Sequence, residues 1–240
     1  MNLLLAILII FNAQFAWAVV RSFDGVDDNI DMGNVLNVTT GNFTLCGYSN
    51  LNETDTAGEE DDTIASKKTV SSNTAAGYTL RQPSNDLMTF RVADGAEGVI
   101  STSTTDVDGA WYWICGTWNS SSETTILYIN GIQEDTDTGA GNIDSLSNAN
   151  NFEVGDVDGA NTETANGLLA YIFQSTSVLT IVEITELMWK PGSLPSNGYW
   201  PMYGGDSPEQ DLSGNNNDGT VTGATTSDDG PPIMIGDQSL

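Results

Sequence analysis

The chain has 240 residues, 33 of them acidic against six basic, and no histidine, which gives a formal net charge of −27 at pH 7. Such a charge repels phosphate backbones and anionic lipid surfaces and argues against nucleic acid as a partner. The missing imidazole excludes Ser-His-Asp and Cys-His catalysis and histidine-built zinc sites, leaving paired carboxylates as the remaining hydrolytic chemistry.

Residues 3–11 form a short apolar run, followed by Ala16-Trp17-Ala18. This predicts a signal peptide over 1–18 with cleavage after Ala18, although only the amino terminus precedes the run as a positive charge. The run is short for a bilayer span, so the mature chain is expected to carry no transmembrane segment; a retained anchor and a buried first strand are the alternatives.

From Val19 onward the text turns β-like. Short candidate strands lie near 19–23, 28–32, 42–49, 62–68, 77–82, 87–92, 98–101, 110–118, 124–130, 151–155 and 167–173, separated by Gly, Asn, Asp and Ser clusters. This spacing predicts an all-β, two-sheet antiparallel jelly-roll sandwich. Asn130-Gly131 marks a tight hairpin. In Trp113-Ile114-Cys115-Gly116-Thr117-Trp118 both alternating faces carry apolar residues, which predicts a strand covered on both sides. Thr180 and Glu183 have capping-box spacing ahead of Ile184, Leu187 and Met188, which predicts one short helix. Residues 19–222 are expected to make up the jelly-roll domain, with a final strand around Val221 folding back beside the first or else starting a second repeat. Residues 223–240, rich in Gly, Asp, Ser and Pro, read as a flexible tail.

The chain holds two cysteines, Cys46 and Cys115, each in a predicted strand. In an exported chain these either pair as a disulfide or remain two buried thiols. Two acidic clusters stand out: Glu59-Glu60-Asp61-Asp62 before one strand, and Asp156-Val157-Asp158-Gly159 after another. Asp-Val-Asp-Gly-Ala also occurs at 106–110, where it reads as ordinary turn chemistry. Asp24, Asp27 and Asp28 form a third acidic loop. Glu183 and Glu186 are the closest approach to a carboxylate pair, and their spacing belongs to a helix, so catalysis is not expected.

Cys115-Gly116-Thr117-Trp118-Asn119-Ser120 resembles the core of the pentraxin signature, with Trp113 where a histidine is usual. Phe43-Thr44-Leu45-Cys46 resembles the strand bearing the other pentraxin cysteine. Phe23-Asp24-Gly25 and Leu127-Tyr128-Ile129-Asn130-Gly131 resemble marks of laminin-G-like, concanavalin A-like jelly rolls. The resemblance favours the Cys46–Cys115 disulfide and implies a calcium (Ca2+) site at Asp61, Asp62, Asp156 and Asp158. It further implies a secreted or surface-displayed module that binds carbohydrate (a glycan) or phosphorylated headgroups, and homo-oligomeric rings. The second reading is a non-catalytic structural or decoration domain of a viral particle or cell surface.

Overall fold

The computed structural model describes residues 15–16, 19–52, 61–68, 74–141, 143–157 and 163–234. The leader read over 1–18 lies, apart from Phe15–Ala16, outside the described residues. Seventeen strands and one helix are described. They are β1 (Phe15–Ala16), β2 (Val20–Asp24), β3 (Asn29–Asp31), β4 (Phe43–Leu51), β5 (Asp62–Lys68), β6 (Gly77–Gln82), β7 (Leu87–Ala93), β8 (Gly98–Asp106) and β9 (Tyr112–Asn119). There follow β10 (Thr124–Ile129), β11 (Ile132–Thr138), β12 (Glu153–Val154), β13 (Asn166–Ser175), α1 (Ile181–Trp189), β14 (Gly198–Trp200), β15 (Thr220–Thr222), β16 (Thr225–Ser227) and β17 (Ile233–Met234).

Two antiparallel sheets carry the fold. One runs β11-β10-β9-β4-β13-β2-β16, with β14 also on β13; the other runs β15-β3-β12-β5-β6-β7-β8. Between them lies the main core, which includes Phe43, Ile64, Tyr78, Leu80, Phe90, Ile114, Trp118, Leu169 and Trp200. A second apolar cluster covers the far side of the first sheet, where Tyr48, Trp113, Tyr171 and Phe173 meet Ile184 and Leu187 of α1. The double-faced apolar pattern of β9 follows directly: Ile114 and Trp118 enter one cluster, Trp113 and Cys115 the other. Gly116 is required there, because a β-carbon would come within 2.1 Å of the Phe90 ring.

Cys46 and Cys115 stand directly opposite each other on β4 and β9 and form a disulfide. The helix carries its capping box, Thr180 N–H donating to the Glu183 carboxylate at 2.7 Å. Ile181, at its first turn, is exposed. None of the described helices is long and apolar enough to cross a membrane.

Two features differ from the sequence reading. A strand, β11, follows the Asn130-Gly131 turn. Residues read as a loose tail include β16, which pairs with β2, and β17, which pairs with β1. Strand β15 lies against β3, so the C-terminal stretch flanks early strands in both sheets.

The two sheets also meet along one side through side chains. Strand β8 ends its sheet and turns alternate N–H groups outward, a row that would otherwise invite pairing. Carboxylates from β11 accept them: Thr102 N–H donates to Asp135 at 2.8 Å, Thr104 N–H to Glu134 at 3.1 Å and Ile100 N–H to Asp137 at 3.3 Å. Thr105 Oγ1 adds a bond to Glu134 at 2.9 Å.

Candidate functional site

The face of the seven-stranded sheet that turns away from the core is polar, and pairing register defines it. Thr220, Asp31, Glu153, Ser66, Thr79, Arg91 and Ile100 stand in one transverse row across the seven strands. Thr63, Arg81, Thr89 and Thr102 form a parallel row beside it. A bulge between Thr63 and Ala65 makes this possible. The extra residue lets Ile64 and Ala65 both enter the core while Thr63 and Ser66 both face outward, the usual consequence of such an insertion.

This outward face is sheltered. Thr63 and Thr79 are fully buried, and Ser66, Lys68 and Arg91 are each 1% exposed. Four of the chain's six basic residues, Lys67, Lys68, Arg81 and Arg91, lie on β5, β6 and β7. Lys67 turns toward a loop, donating to Asn150 O at 2.6 Å and Asn34 Oδ1 at 2.9 Å. The other three share the polar face. Burial pushes the Lys68 ammonium down to about 8, although Glu163, 3.6 Å away, favours the charged form. Burial, with the neighbouring charge of Arg81, lowers Arg91 to about 10. Arg91 donates to Ala75 O at 3.0 Å.

Amid these charges stand groups that the protein leaves open. Thr63 Oγ1, Ser66 Oγ, Thr79 Oγ1 and Arg81 Nε are buried and have no hydrogen-bond partner among the described residues. Buried polar groups are ordinarily paired, and leaving a hydroxyl open costs about 1–3 kcal/mol. Ser66 and Thr79 are direct cross-strand neighbours, and Thr63 and Arg81 are another such pair. The four groups therefore stand at neighbouring register positions and make one compact buried patch on the outer side of the sheet.

Of the carboxylates singled out in the sequence, Asp61 meets this patch. Asp61 is bonded to Arg81 Nη1 and accepts the Ser84 N–H at 3.3 Å. Asp62, 2% exposed, accepts the Asn166 N–H. Asp156 is fully buried and accepts the Val157 N–H at 2.6 Å. Asp158 lies outside the described residues. At Asp61 a guanidinium already supplies the positive charge: Arg81 Nη1 lies against Asp61 and, at 3.1 Å, against Glu163.

Among the described residues, the carboxylates that do converge are Asp24, Asp27 and Asp28, with oxygens within 4.8 Å of one another. Two of them hold their own turn: Asp28 accepts the Asp24 N–H and Asp24 accepts the Val26 N–H, both at 2.9 Å. Of the tryptophans, Trp113, Trp118 and Trp200 are core, and Trp189 is 39% exposed on α1. A separate cavity of about 260 Å³ lies beside Tyr203, Gly204, Asp206 and Gln210. The ion pair bordering it, Arg21 with Glu209 at 3.0 Å, is already satisfied, which makes it the weaker candidate.

Sequence reading missed Lys68, Arg81, Arg91 and the three hydroxyls. They come from strands separated by turns, and only the register and the bulge at Ile64 place them on one face.

The concanavalin A-like lectin/glucanases superfamily, through a laminin-G-type family model, matches residues 24–184. No curated protein matches the chain by sequence. Among solved structures, a protein from Bacteroides ovatus described as a candidate carbohydrate binder superimposes with a TM-score of 0.68 at 19% identity. That match covers 91% of this chain, which spans 62% of the Bacteroides protein's length. A heptameric SAP-like pentraxin from Limulus polyphemus superimposes with a TM-score of 0.62 at 16% identity, covering 88% of this chain and 95% of that one. At these identities the likeness is one of fold.

Proposed function

Since this chain belongs to the concanavalin A-like lectin/glucanases superfamily, we propose that it is a non-catalytic recognition module, secreted or displayed at a surface, that binds carbohydrate on the polar face of its seven-stranded sheet. The observation that carries this reading is the set of buried, unpartnered groups at Thr63, Ser66, Thr79 and Arg81. A sugar ring offers hydroxyls that both donate and accept, which suits three protein hydroxyls and an N–H donor at neighbouring register positions.

Charge favours the neutral ligand class. Arg81, Lys68 and Arg91 share the patch with Asp61, Glu153 and Glu163, so it is close to neutral within a chain of net charge −27. A phosphorylated headgroup would meet no excess of positive charge, whereas a neutral glycan needs none. Calcium is no part of this site as proposed. Export is supported by the Cys46–Cys115 disulfide, since such bonds persist in oxidising compartments.

The test is a glycan array probed with the intact chain, followed by calorimetry on the best hit with Ser66→Ala and Thr79→Val. Binding that weakens in both variants supports the site. An array without signal, or affinity indifferent to both substitutions, refutes it.

A further inference from the structure

We propose that Arg81 holds Asp61 and Glu163 together in the place of a metal ion, so that the sheet-face site operates without calcium and becomes a divalent-cation site only when the guanidinium is removed. One nitrogen, Nη1, contacts both carboxylates. Asp61 precedes β5 and Glu163 precedes β13, so these two loops converge on that nitrogen.

The charge balance is complete without an ion. Two carboxylates, Asp61 and Glu163, face two basic side chains, Arg81 and, 3.6 Å from Glu163, Lys68. A divalent ion entering here would sit against a guanidinium and an ammonium and would first have to displace a charge-assisted pair. A further donor of the Arg81 side chain, the buried Nε, has no partner among the described residues, and Arg81 is the cross-strand neighbour of Thr63 in the patch. Arg81 therefore joins two tasks: one end fastens the loops and the other is left for the ligand.

The location rests on the sheet-face reading, but calcium binding is measured without any glycan, so failure of the one is separable from failure of the other. Calcium is titrated calorimetrically into the intact wild-type chain, Glu163→Gln, Arg81→Gln and Arg81→Lys, with folding checked by circular dichroism. Wild type and Glu163→Gln should give the same calcium isotherm. Arg81→Gln should gain one further site, with a dissociation constant on the order of 10⁻⁴–10⁻³ M, as loop sites with few carboxylates have. Arg81→Lys should gain none. Chelator should change the wild-type affinity for the best glycan hit by less than about twofold, far below the tenfold that 1.4 kcal/mol represents. A wild-type calcium signal that Glu163→Gln abolishes overturns the proposal, and does so even if Arg81→Gln fails to fold. A folded Arg81→Gln that gains no site overturns it equally.

Discussion

Replacing Thr79 by valine should make the protein more stable and a poorer binder at once. The Thr79 hydroxyl is fully buried and has no partner among the described residues. Valine keeps the shape and the β-branch, so the sheet loses no packing, while an open polar group that costs about 1–3 kcal/mol disappears. Allowing for partial relief of that cost in the native state, a gain of about 1–2 kcal/mol is expected. For a chain of this size each kcal/mol moves the melting temperature by about 2–4 °C, so the midpoint should rise by about 2–8 °C. The same change removes one hydrogen bond to the ligand, of about 1–1.5 kcal/mol, which weakens binding by roughly tenfold. Calorimetric melting and glycan titration on one preparation read both signs. A variant destabilised by more than about 1 kcal/mol refutes the reasoning, because the hydroxyl would then have a partner the fold depends on. Raised stability with unchanged affinity would sever the patch from binding.

Three further outcomes follow from the fold. Converting Cys46 and Cys115 together to alanine opens a loop with a sequence separation of 69; denaturant melts should show a loss of about 4 kcal/mol in the chain-entropy model. Gly116→Ala places a β-carbon 2.1 Å from the Phe90 ring, and overpacking of this kind should cost about 1–3 kcal/mol or more in the same melts. For Glu134, partial desolvation is outweighed by bonds from Thr105 and Thr104, which hold its carboxyl below the ordinary 4.5. Its folded-state value is depressed, so its contribution is present above pH 4.5 and is lost as pH falls through the lower folded value. Denaturant midpoints between about pH 5 and pH 3 should therefore fall less steeply in Glu134→Gln than in wild type.

Strands that bury one or both faces were legible in the sequence: β5 and β6 begin and end at the predicted residues, and the helix starts at its Thr180 cap. Strand β11 was not, because Ile132–Thr138 bury almost nothing and show no alternation of apolar residues. The signal available was indirect, since an Asn130-Gly131 hairpin turn requires a returning strand. The strand at Thr225–Ser227 was hidden for a similar reason: it is polar and gains order from β2, far away in sequence. The acidic clusters were visible, but their counterions were not. Asp61 reads as a metal ligand in the sequence, where its partner Arg81, on the next strand, cannot be seen. The disulfide lay between these extremes, with two cysteines in the chain and two candidate strands to carry them.

The rim formed by β8 and β11 bears on how copies of this molecule behave when crowded. A bare strand margin is a template on which another chain can add itself, and from there a fibril can grow. Here the template is already read by the molecule's own acids, and each acid that quiets the margin also adds to the mutual repulsion between neighbours. Dense display on a surface, the setting in which a recognition module gains from many weak contacts, is thus compatible with copies remaining separate.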